Sequence, residues 1–252
     1  MKSLFLAWQA PNRAWFPVGR LDADVRNHFY AFRYTKGALD AERAVGFKPL
    51  PAFPDFSGQY ESSELFPLFG NRVLDPNRQE FLEYLKSLDL DQGHSDPINI
   101  LSVSGGERQT DSLEVFPKVE KRADGWFCCR FFLHGIRHMR KDAQERAMLL
   151  QPGEALGLSL ELNNPVTKFA ILLTTRDYYF IGWTPRYLIS DFLAAIADDS
   201  AVQASVVRVN QAHVPLNRRI LVELSGKLPA GIEPMSKDWF QPIVGEPKIA
   251  RH

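Results

Sequence analysis

Cysteine, long apolar runs and an excess of charge of either sign are what this 252-residue chain has least of. Its two cysteines, Cys128 and Cys129, are adjacent. On a strand such neighbours point to opposite faces, which disfavours an unstrained disulfide between them and favours a reducing compartment, the cytoplasm. No stretch reaches the roughly 18 apolar residues of a spanning helix, so no membrane partner is expected. The apolar run after Met1 is too short for a signal peptide and lacks a small-residue cleavage site. Thirty Lys and Arg balance thirty Asp and Glu, so bulk charge does not announce a polyanion partner.

Catalytic signatures are missing as well. There is no G-x-S-x-G elbow and no G-x-x-x-x-G-K-[ST] phosphate loop. Carboxylate pairs such as Glu61/Glu64 and Asp89/Asp91 read as solvated charges, and no metal-binding carboxylate cluster stands out. Cys128, Cys129, His134 and His138 lie within eleven residues. Zinc needs ligands converging from spaced pairs, whereas vicinal strand cysteines diverge, so packed thiols are the simpler reading. Ser104-Gly105-Gly106-Glu107 could turn amides toward an anion, but Glu107 and Asp111 would repel one; a helix C-cap is the ordinary role of such glycines. The expectation is a protein that is not an enzyme and needs no cofactor.

What is present is an α+β pattern. Strands are expected at Ser3–Trp8, Trp15–Leu21, Phe29–Tyr34 and Ser112–Phe116, with Thr35-Lys36-Gly37 as a turn. Residues 46–60 read as irregular structure pinned by its aromatics. Asp75-Pro76 and Asp96-Pro97 each look like a helix start; Phe81, Leu82, Leu85 and Leu88 follow the first at helical spacing. Pro117–Gly125 is polar and marks a boundary. Beyond it, Trp126–Leu133 alternates, Asp142 with Glu145 suggests a capping box holding Met148 and Leu149 inward, and Ala155–Leu162 carries leucines on one face. A hairpin (Phe169–Thr174, Tyr178–Trp183), a helix from Thr184-Pro185 and two further strands complete a small barrel with two helices. The domain reading is therefore an α+β domain at 1–120, with a small sheet and helices, a β-barrel domain at 126–226 and an extension at 227–252.

Charge is unevenly spread. Residues 60–96 hold eight acidic and three basic residues, and residues 134–190 hold seven Lys/Arg against five Asp/Glu. Within the latter, His134-Gly135-Ile136-Arg137-His138-Met139-Arg140-Lys141 places three fixed cations and two histidines directly after a core strand. Asn163-Asn164-Pro165-Val166-Thr167-Lys168 adds a polar turn, and Trp183-Thr184-Pro185-Arg186-Tyr187 an indole and a guanidinium at a strand-to-helix junction. Rings that stack and cations that hold a backbone suit unpaired bases; the plainer alternative is a set of solvated loops.

Over Phe132–Leu188 these residues, with Leu150-Gln151-Pro152-Gly153-Glu154-Ala155-Leu156, Glu161-Leu162-Asn163-Asn164-Pro165 and Ile181-Gly182-Trp183-Thr184-Pro185-Arg186, resemble a HIRAN domain in order and spacing. The resemblance implies an OB-like β-barrel that holds the 3′ end of single-stranded DNA. It assigns the strand-end arginine to Arg137, its neighbour to His138, the asparagine before the proline to Asn164, the following lysine to Lys168, and the second junction to Trp183 and Arg186. Arg140 and Lys141 join these as DNA-binding candidates on charge alone. Thr167 stands where the family has an aspartate of its 3′-hydroxyl pocket, and Val166 where an aromatic is common. That leaves backbone binding in place and weakens the case for end recognition.

The first half bears a fainter likeness to the N-terminal subdomain of HipA-type kinases. It is carried by Pro17-Val18-Gly19-Arg20-Leu21, Phe32-Arg33-Tyr34, Lys48-Pro49-Leu50, Leu65-Phe66-Pro67-Leu68-Phe69, Asn71-Arg72, Asn77-Arg78, and Asp96-Pro97 leading to Ser104-Gly105-Gly106. That subdomain lacks the kinase motifs, so the likeness implies a protein-docking module for a partner such as a HipA-like kinase. The alternative function is then an antitoxin-like module that binds no DNA.

Overall fold

The computed structural model describes residues 1–108, 110–196 and 202–243. The chain divides into two units: one of 1–76, 96–118 and the segment from 236 onward, the other of 77–95 and 119–235. This differs from the contiguous division expected from composition. The acidic stretch 60–96 is shared between the two units, and the described residues after 227 divide at Met235, with 228–235 in the second unit and 236–243 in the first.

In the first unit β1 (Lys2–Gln9), β2 (Trp15–Asp24) and β3 (Phe29–Tyr34) form an antiparallel meander. The helix α1 (Lys36–Val45) follows, then β4 (Gln59–Ser62), the single turn α2 (Pro67–Gly70) and, in the other unit, α3 (Phe81–Ser87). Back in the first unit, α4 (Pro97–Ser104) leads to β5 (Leu113–Pro117). The strand order is β4-β3-β2-β1-β5. Aromatic and branched residues suit a sheet covered on both sides. Leu4, Leu6, Leu21, Phe32 and Tyr34 face a core with Phe53, Phe69, Ile98 and Leu101. The Tyr34 hydroxyl accepts from Leu50 N (2.6 Å) and donates to the Phe53 carbonyl (2.7 Å). This pins the irregular stretch after α1, and burial pushes the phenol up to about 12.

On the opposite face Phe5 packs against Phe116 and Phe240. The 236–243 segment holds that face, with a bridge between Thr35 and Pro242 and Lys36 N donating to the Gln241 carbonyl (2.8 Å). Beside the rings lies an ionic cluster. Asp22, 1% exposed, accepts from Arg33 (2.7 Å), Arg20 (2.8 Å) and Ser3 Oγ (2.5 Å).

Local signals divide here into those that hold and those that tertiary packing overrides. Asp96 Oδ1 caps α4 by accepting from Ile98 N (3.1 Å) and Asn99 N (3.0 Å), as its sequence predicts. Gly105 closes that helix, and Arg72 takes the Gly106 carbonyl (2.9 Å), so the glycine pair is a helix end. Asp75-Pro76 starts no helix: α3 begins at Phe81, and Leu82 is 51% exposed. In so short a helix only Phe81, Leu85 and the following Leu88 reach a core.

The second unit is built on β6 (Trp126–Phe132), α5 (Lys141–Met148), β7 (Ala155–Asn164), β8 (Lys168–Thr174), β9 (Phe180–Trp183), α6 (Ile189–Ile196), β10 (Gln203–Val209) and β11 (Ile220–Lys227). All pairings are antiparallel, in the order β6-β11-β10-β7-β8-β9. No closed barrel forms among the described residues. Among them, the two ends of the sheet are joined by one bridge, between His134 and Trp183. Closure stops there because the backbone past β6 turns away at Gly135 (φ +74°) and Pro185, just past β9, has no amide to donate.

The segment 77–95 is fastened to this sheet. Asp89 pairs with Arg130 (3.1 Å) and Arg208 (2.9 Å), Asn210 Nδ2 donates to the Ser87 carbonyl (2.8 Å), and the Arg218 guanidinium lies over Tyr84. Cys128 is exposed and Cys129 buried, the divergence expected of neighbours on a strand, and burial raises both thiols. The expected capping box is replaced. Arg140 holds the N-cap position, Asp142 sits inside the first turn on Ala143 N (2.9 Å), and Ala143, Ala147 and Leu150 are buried while Leu149 is exposed. No helix among the described residues is long and apolar enough to cross a membrane.

Candidate nucleic-acid interface

The cation-rich run begins where β6 ends. Gly135 adopts φ +74° and opens a 3-10 turn, Ile136–His138, which buries Ile136 and leaves Arg137 and His138 exposed. Arg137 Nε donates to His138 Nε2 (3.1 Å), and Gln144 Nε2 donates to the Met139 carbonyl (2.8 Å), tying the turn to α5. Arg140 and Lys141 follow, with side chains 86% and 92% exposed. Their contacts to Asp142 (3.0 Å) and Glu145 (3.9 Å) are open surface pairs. Such pairs contribute little and yield readily to another anion.

The 3-10 turn and α5 both pack against β9. His134 N donates to the Trp183 carbonyl (3.0 Å) and Trp183 N to the His134 carbonyl (2.9 Å). The bridge therefore sets the Arg137–Lys141 run beside the Trp183–Arg186 junction. The Trp183 ring lies over Gly135: a Cβ added there would stand 2.4 Å from ring atom Cε3. Glycine is required at 135 twice over, for its left-handed backbone and for this approach. Trp183 and Arg186 are both half-buried.

Asn164 and Lys168 pair across the β7–β8 turn, where Lys168 has φ +65°. The Asn164 side chain serves the turn itself. Its Oδ1 accepts from Val166 N (3.0 Å), Thr167 N (3.0 Å) and Thr167 Oγ1 (3.1 Å), and its Nδ2 donates to Glu161 Oε2 (2.9 Å). The Thr167 hydroxyl is thus used inside the loop. Lys168 is exposed. The leucines on one face of β7 grade outward toward the tip, with Leu156 7%, Leu160 38% and Leu162 59% exposed.

Sequence reasoning missed Glu161, whose Oε2 also accepts from the Trp183 indole Nε1 (2.8 Å). Strand register is the only signal that could have found it: Glu161 faces Ala170, and Leu172, two residues along β8, faces Trp183. Nearby, Arg146 is held by Glu154 (2.6 Å) and Asp177 (2.9 Å), which keeps the Asp177 carboxyl down at about 2. Arg146 is therefore a brace between α5 and the β8–β9 turn. No group of three or more His, Cys, Asp or Glu that could hold a metal is found among the described residues.

No family model matches the chain, and no curated protein matches it. Among solved structures, a protein from Lactobacillus plantarum aligns with 42% of this chain and 100% of its own, at 18% identity and a TM-score of 0.33. The HIRAN domain of human HLTF aligns with 42% of this chain and 81% of its own, at 15% identity and a TM-score of 0.30. The likeness of the first half to HipA-type kinases gains no support from these comparisons, and superposition at this level assigns the chain to no family.

Proposed function

We propose that the second unit binds nucleic acid, single-stranded or 3′-terminal DNA, and that the protein acts by binding rather than by catalysis. The observation that carries this reading is the His134–Trp183 bridge, which sets the segment bearing the exposed Arg137, Arg140 and Lys141 beside the strand end bearing Trp183 and Arg186. Guanidinium and ammonium groups grip phosphate oxygens, while a ring beside them offers a surface for an unpaired base. His138 and Lys168 extend the polar margin. Asn164 enters as the residue that shapes the turn.

The test is fluorescence anisotropy at two salt concentrations. The probes are a labelled single strand with a free 3′ hydroxyl, the same strand 3′-phosphorylated, and a duplex. Both single strands are expected to bind more tightly than the duplex. Loss of binding on 3′-phosphorylation would mark terminal recognition, and equal binding would mark contact along the strand. Arg137→Ala is expected to weaken binding by about 1–3 kcal/mol and to reduce the salt slope by about 1. An unchanged slope removes Arg137 from the interface, and binding to none of the three probes removes the reading.

A further inference from the structure

Glu161 stands where a polyanion-binding face has least use for a carboxylate. A single oxygen, Oε2, accepts from the Trp183 indole (2.8 Å) and from Asn164 Nδ2 (2.9 Å), so one side chain ties the hairpin tip to the strand-to-helix junction. Oε1 holds no hydrogen bond among the described residues. The indole is thereby held from two sides, with the carboxylate at its pyrrole edge and the Gly135 backbone against its benzenoid ring.

We propose that Glu161 is a positioning and selectivity residue: it fixes the Trp183 ring for contact with a base or sugar and keeps phosphate away from it. The proposal rests on the nucleic-acid reading above and refines which part of a nucleotide each side chain meets. A half-buried carboxylate repels an approaching phosphate more strongly than it would in bulk water. Its spare oxygen accepts from a base amino group, a base imino group or a sugar hydroxyl, none of which an ionised phosphodiester offers. Discrimination by a built-in repulsion is a general way of making a site choose. The phosphates are then left to Arg137, Arg140, Lys141 and Arg186.

The test uses the full chain as wild type, Glu161→Gln and Glu161→Ala. The probes are a labelled oligothymidylate and an abasic strand of equal length. The wild type is expected to prefer the base-bearing strand. Glu161→Gln keeps an acceptor oxygen without the charge, so it should gain about three- to tenfold for the abasic strand at low salt, narrowing the preference. Trp183 emission, isolated by difference against Trp183→Phe, should be preserved in Glu161→Gln and shifted in Glu161→Ala. If the wild type binds and Glu161→Gln shows the same preference, the inference fails and the nucleic-acid reading stands. If the wild type binds neither strand, both fall together.

Discussion

Replacing Asp22 by alanine is expected to destabilise the first unit by about 3–5 kcal/mol, the range for removing one partner of a buried ion pair. The reason is the company the carboxylate keeps. Its side chain is 1% exposed and the Arg33 side chain 5%, with Arg20 at 12% on the other oxygen and Ser3 Oγ beside it. Without Asp22, two guanidinium groups are left facing each other in a site that water hardly reaches, next to the rings of Phe5 and Phe116. Asp22→Asn should do nearly as much harm, since it keeps the shape but not the charge. Against a typical domain stability of roughly 5–15 kcal/mol, such a loss takes a large share. Urea unfolding followed by tryptophan emission measures it, and a shift below about 1 kcal/mol would mean the cluster is far more solvated than its burial implies.

The second large effect is expected at Gly182. A Cβ there would lie 2.5 Å from the His134 carbonyl oxygen and 2.8 Å from Leu133 Cγ, and the backbone sits at φ +155°. That carbonyl is the acceptor for Trp183 N, so a methyl group pushes directly on the bridge joining the two ends of the second sheet. Gly182→Ala should cost about 2–4 kcal/mol, combining overpacking with backbone strain. It should also speed hydrogen exchange at the amides of His134 and Trp183. Gly153→Ala separates the two causes. That glycine has φ +84° and nothing within 4 Å of the added atom, so only conformational strain of about 1 kcal/mol is expected. Equal destabilisation by the two variants would refute the overlap argument at Gly182.

The contrast between Asp96 and Gly37 shows what the sequence makes legible. Asp96 announces α4 because a cap needs only the next three residues. Thr35-Lys36-Gly37 reads as a turn, yet Gly37 lies in the first turn of α1. A Cβ at 37 would meet the Pro17 carbonyl oxygen at 2.2 Å, and that neighbour comes from β2. The reason for glycine is tertiary and leaves no local trace. β4 escapes notice for a similar reason: Gln59–Ser62 is polar and half-exposed and is a strand only because β3 supplies a ladder. In the candidate site, the cations and the indole are legible as residue types. Their meeting at the His134–Trp183 bridge is not, and neither is Glu161, whose part depends on a register spanning three strands.

The segment 236–243 also bears on how the chain comes to be folded. Phe240 is 2% exposed against Phe5, and Ile243 N donates to the Tyr34 carbonyl (2.9 Å), so the first sheet is completed by residues the ribosome makes after the whole second unit. Proteins made of successive modules commonly finish the N-terminal one while the rest is still being synthesised. Here β1 to β5 emerge early but must wait for the 236–243 segment before Phe240 packs on Phe5 and Phe116, leaving those rings less covered throughout translation of the second unit. A nascent chain stalled before residue 236 would therefore be a substrate for chaperones.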